Sequence, residues 1–126
     1  MKPREMRPAV GFVIDDEEAI ADAIAEMLVI KGYQTKTFYS PVAAIAALSH
    51  TMPDFVITDF SMPEMDGLTL ALNVIQKNPT AIMIIISGNP AAMAGHPLRH
   101  QFTVLQKPVS LSAVLAVLQR EMSFAD

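Results

Sequence analysis

The chain has 126 residues, a formal net charge of −4 at pH 7 and no cysteine. That length suits one domain able to bury about two-thirds of its unfolded surface without staples. The missing thiols exclude a disulfide framework or a thiolate metal site, and the acidic balance argues against nucleic-acid contact, which needs clustered Lys and Arg.

Residues 1–8 are charged and proline-broken and lack the apolar core of a signal peptide. They are expected to be a tail preceding a single domain over 9–126. The first strand is expected at Val10–Ile14. Ile20, Ala23, Ile24, Met27 and Leu28 then follow helical spacing, with Gly32 as the stop. Gln34 to Phe38 reads as a short second strand. Ser40-Pro41 offers an N-cap with proline at the first helical position, and Ile45 and Leu48 supply a buried face. A third strand runs from Phe55 to Thr58. Asp66-Gly67 opens a third helix carrying Leu68, Ala71, Leu72 and Ile75 and ending near Asn78-Pro79. Ala81 to Ile86 is an unbroken apolar run; it is far too short for a membrane span and suits a strand buried on both faces. Asn89 to His100 carries Pro90, Gly95 and Pro97, which predicts a short or irregular helix. A fifth strand follows at Phe102–Gln106, and Ser110 caps a last helix with Leu111, Val114, Leu115 and Leu118 on one stripe. The alternation implies an α/β domain with a parallel sheet covered on both faces.

Four polar signatures stand where these strands end: Asp15-Asp16, Asp59, Ser87-Gly88 and Lys107-Pro108. The carboxyl ends of strands in an open parallel sheet are where ligands bind. Three carboxylates, a hydroxyl and an ammonium gathered there suit a divalent cation and a phosphoryl group. Each signature taken alone also fits a plainer role: acids favoured at a helix N-terminus, a turn, a solvated loop. His50, His96 and His100 have no metal-ligand spacing and are expected in solvated loops.

With Met62-Pro63 and Asp66-Gly67 following Asp59, the whole ordered set resembles the receiver domain of two-component response regulators, from about Ala9 to Met122. The resemblance implies a flavodoxin-like sheet of strand order 2-1-3-4-5. It implies that Asp59 accepts a phosphoryl group from a phosphohistidine on a sensor histidine kinase or phosphotransfer protein. It further implies that Asp15, Asp16, Asp59 and the carbonyl of Ser61 hold Mg²⁺, that Lys107 and Ser87 contact phosphoryl oxygens, and that Lys107-Pro108 is cis. The metal has a clear electrostatic task, since two carboxylates about 4 Å apart repel by roughly 4 kcal/mol at an effective dielectric of about 20. Such a protein is a phosphoacceptor acting only on itself rather than an enzyme, cytoplasmic, with an unknown downstream protein partner and a homodimer left open.

Two features depart from the family. The position three before Lys107, usually Tyr or Phe, is Val104, too short to swing as a switch ring. The fourth helix is proline-broken, and output is expected to use a remodelled loop at Asn89 to His100. No effector domain is expected beyond Asp126. These departures keep a second reading open, a phosphorylation-independent receiver-like binding module. A phosphatase of the haloacid dehalogenase type would carry an acid where Ser61 stands, and is set aside.

Overall fold

The computed structural model describes residues 8–125; the expected tail at 1–8 falls almost wholly outside them. Five strands form one sheet: β1 (Val10–Ile14), β2 (Gln34–Phe38), β3 (Phe55–Asp59), β4 (Ile82–Ser87) and β5 (Thr103–Gln106). All pairings are parallel, in the order β2-β1-β3-β4-β5. Four helices alternate with them: α1 (Glu18–Ile30), α2 (Pro41–Ala47), α3 (Gly67–Lys77) and α4 (Leu111–Ala125).

The two-residue period of a strand sends successive side chains to opposite faces, and the core divides accordingly. Val13, Phe55, Ile57, Ile84 and Ile86 meet Ile24 and Leu28 of α1 and Val114 and Leu118 of α4. Phe12, Ile14, Val56, Met83 and Ile85 meet Ala44 of α2, Leu48 just after it, and Leu70 and Val74 of α3. β3 and β4 are buried at every position, as their unbroken apolar runs require.

The fourth crossover contains no α-helix. Pro90–Met93 and Arg99–Gln101 form two short 3₁₀ turns, as the prolines and glycine dictate. Phe102 anchors this segment: it is buried, Arg99 stands 5.5 Å above its ring and donates to its carbonyl at 2.8 Å, and His96 lies against it. His96 is therefore half-buried rather than solvated, and its Nδ1 accepts from the Leu98 amide. His50 and His100 are exposed as expected.

The helix faces are rotated slightly from the expected stripes. Gly67, Leu70, Ala71 and Val74 are the buried residues of α3, with Leu68, Leu72 and Ile75 at the margins. Leu111 and Ile20 are exposed. These segments are apolar on most of their circumference, so periodicity alone leaves the orientation ambiguous.

Candidate functional site

Parallel register aligns the strand ends along one edge. Ile14 lies opposite Thr58, Asp59 opposite Ile86, and Ser87 opposite Gln106. Asp15 stands one residue beyond Ile14, and Lys107 one residue beyond Gln106. The chain turns sharply after β1, and the Glu17 amide donates to Asp15 Oδ1 at 2.9 Å. Asp15 and Asp59 are buried and Asp16 is exposed, yet each offers a carboxylate oxygen within 4.8 Å of the other two. Lys107 Nζ reaches in to 2.7 Å from Asp59 Oδ1. That buried oxygen has no well-aligned hydrogen bond, so the ammonium offsets its charge through proximity.

Burial is the main influence on Asp15, pushing its carboxyl up from 3.8 to about 6. The Glu17 amide opposes this, the negative charges of Asp59 and Asp16 add to it, and Lys107 counteracts it. Lys107 is itself held above the ordinary lysine range, first by its contact with Asp59, although partial burial works the other way. One ammonium faces three carboxylates, so the edge carries excess negative charge. The donor set is oxygen only, which suits a hard cation such as Mg²⁺. Asp15, Asp16 and Asp59 each bring one carboxylate oxygen within 4.8 Å of the other two, close enough for these side chains to hold one small cation between them. The residues fit the ion.

Ser87 is buried at the end of β4, and its Oγ accepts from the Asn89 amide at 3.0 Å. A hydroxyl that accepts in this way still has a proton to donate. The backbone N–H of Lys107 donates to the Ser87 carbonyl at 2.9 Å, tying the two residues together. The Lys107–Pro108 peptide is cis. A cavity of about 430 Å³ opens beside the ammonium, lined by Asp15, Glu17, Ile20, Ile86, Lys107, Pro108 and Val109. Ser61 is exposed in the turn that follows β3.

Three residues near this edge or behind it make contacts that the sequence reading does not assign to them. Thr58 is fully buried and its hydroxyl donates to the Asp59 carbonyl at 2.9 Å. Gly67 opens α3 directly against the Asp59 backbone. Asp54, at the other end of β3, is buried and accepts from the Val10 amide at 2.9 Å, a structural acid. An apolar run hides a threonine within it, and spacing alone does not reveal a close backbone approach.

The family model for the response regulator receiver domain matches residues 12–119. The chain belongs to that family. This receiver domain is 29% identical over 120 residues to the DNA-binding transcriptional regulator NtrC of Salmonella typhimurium, covering 94% of this chain and 26% of that protein. It is also 29% identical over 106 residues to a protein-glutamate methylesterase/protein-glutamine glutaminase of Anaeromyxobacter dehalogenans, covering 82% of this chain and 30% of that one. The chain thus spans only about a quarter to a third of the length of these relatives. Among solved structures, a CheY-like receiver domain from Methanospirillum hungatei superposes with a TM-score of 0.83 at 18% identity, covering 94% of this chain and 97% of that one. NtrX from Brucella abortus superposes with a TM-score of 0.82 at 27% identity, covering 94% and 28%. The receiver domain is a signalling module of two-component systems rather than an enzyme of the usual kind. No helix among its described residues is long and apolar enough to cross a membrane.

Proposed function

We propose that this receiver domain, spanning 9–126, accepts a phosphoryl group on Asp59 from the phosphohistidine of a sensor histidine kinase or phosphotransfer protein in the cytoplasm. The reading rests on one observation: three carboxylates from two strand ends share a site with a lysine 2.7 Å from one of them. Asp59 is the nucleophile. Its carboxylate oxygen bonds to phosphorus as the P–N bond breaks, and that electron pair leaves with the donor's ring nitrogen. Lys107 holds the carboxylate at rest and then faces a phosphoryl oxygen. Ser87, whose Oγ accepts from the Asn89 amide, donates its hydroxyl proton to another. In such transfers the protein mainly positions groups and offsets charge. Asp15, Asp16, Asp59 and the Ser61 carbonyl would hold Mg²⁺, which when bound supplies the positive charge that lets carboxylate and phosphoryl group approach. The cavity beside Lys107, with Ile20, Ile86, Pro108 and Val109 in its wall, leaves room there for the donor.

Output then passes to another protein through contacts of the segment 89–101, where the 3₁₀ turns give a surface unlike a regular helix. Val104 and the Phe102 anchor also favour a second reading, a binding module indifferent to phosphorylation. Incubation with a small phosphodonor and Mg²⁺, followed by intact mass measurement, separates them. An acid-stable, base-labile adduct of one phosphoryl group, lost in Asp59→Asn, is expected. No adduct, or one that persists in Asp59→Asn, overturns the reading; partner binding unaffected by phosphodonor supports the second.

A further inference from the structure

The peptide that follows Asp59 is held at both of its polar atoms, and the carbonyl of the next peptide is held as well. The Phe60 amide donates to the Ile86 carbonyl at 2.8 Å, continuing the β3–β4 ladder by one residue. The Asp59 carbonyl accepts the Thr58 hydroxyl at 2.9 Å. The Phe60 carbonyl accepts the Gly67 amide at 2.7 Å. Gly67 also comes so close that a Cβ built there would overlap the Asp59 carbonyl oxygen and stand 3.0 Å from Phe60 Cα. Both obstacles are backbone atoms, so no side-chain movement could relieve the overlap. Thr58 is fully buried, and its hydroxyl also lies 3.9 Å from Met62 Sδ, a weak acceptor.

We propose that Thr58 and Gly67 are positioning residues for the acceptor carboxylate, clamping the Asp59–Phe60 peptide so that the Asp59 side chain keeps its place among Asp15, Asp16 and Lys107. The inference rests on the acceptor role of Asp59 proposed above. Rotation of that peptide moves the Asp59 Cα–Cβ bond, and with it the oxygen now 2.7 Å from Lys107 Nζ. A misplacement of about 1 Å at a reacting group costs on the order of a hundredfold in rate. Gly67 thus joins α3 to the site through close approach, and Thr58 joins it through a hydroxyl facing the opposite side of the sheet from the carboxylate.

The test compares Thr58→Val, Thr58→Ser, Gly67→Ala and Gly32→Ala. Gly32 has a positive φ of 98° and nothing within 4 Å of a built Cβ, so its substitution strains the fold far from the site. Two quantities are read on each folded protein: the rate of adduct formation from a small phosphodonor, and Mg²⁺ affinity from amide NMR shifts without phosphodonor. Thr58→Val and Gly67→Ala should each slow adduct formation by about tenfold or more and weaken Mg²⁺ binding. Thr58→Ser should keep both near wild type, and Gly32→Ala should lose stability while changing neither. Wild-type values in Thr58→Val and Gly67→Ala overturn the clamp, as does Thr58→Ser behaving like Thr58→Val. If Gly67→Ala does not fold, the threonine pair carries the comparison. If wild type forms no adduct, the acceptor role fails and the Mg²⁺ affinities alone judge the clamp.

Discussion

Asp15 shows how a single side chain trades stability for a binding site. Its carboxyl is raised to about 6, chiefly by burial. Below pH 3.8 the folded and unfolded chains are both protonated there, and the residue costs nothing. Between about 4 and 6 only the unfolded chain ionises, so this contribution falls as pH rises. Above 6 the penalty is complete, at most about 3 kcal/mol, and water at the sheet edge reduces it. Asp15→Asn keeps an oxygen for the Glu17 amide and removes the charge. It should raise stability by about 1–2 kcal/mol at pH 7.5, with the gain vanishing near pH 3.5. Urea unfolding of both proteins across that range in a chelator checks it; a gain that persists at low pH would point to packing instead.

At the scale of the element, helix starts differ in how they are held. Ser110 Oγ accepts from the Ala113 amide at 3.1 Å, and Asp66 Oδ1 accepts from Thr69 at 2.8 Å. Ser40 occupies the N-cap of α2 with extended backbone but makes no capping bond; Pro41 at the first helical position already lacks an N–H. Ser110→Ala should therefore cost about 1 kcal/mol and Ser40→Ala close to nothing. Chemical denaturation midpoints measure both. The same contrast limits what sequence conveys: Ser-Pro and Val-Ser-Leu each advertise a helix start, while only coordinates reveal which hydroxyl is used. The fourth crossover was legible as a disrupted helix from Pro90, Gly95 and Pro97. Its anchoring on Phe102 by Arg99 and His96 was not, because ring stacking depends on a chain path that spacing does not specify.

Across the whole molecule, the sheet concentrates negative charge at one edge and one lysine offsets part of it. A cation bound only by the folded state stabilises by RT ln(1 + [L]/Kd), or about 2.7 kcal/mol at a hundredfold excess over Kd. Mg²⁺ should therefore raise the melting temperature, a chelator should reverse the rise, and Asp16→Asn should remove most of it. Thermal unfolding with and without Mg²⁺ checks this. A rise of equal size in the variant would mean general charge screening rather than a site.

The covered parallel sheet and the edge carrying Asp15, Asp16, Asp59, Ser87 and Lys107 could be read from the chain, whereas the strand order followed only from the family resemblance. Strand periodicity, turn residues and polar punctuation are local properties, and a right-handed parallel crossover leaves few ways to assemble them. Helix rotation, the burial of His96, the structural role of Asp54 and the contacts of Thr58 and Gly67 with the Asp59 backbone were decided only on folding. Each depends on which surface meets which across tens of residues, and close packing fixes that only when the elements are brought together.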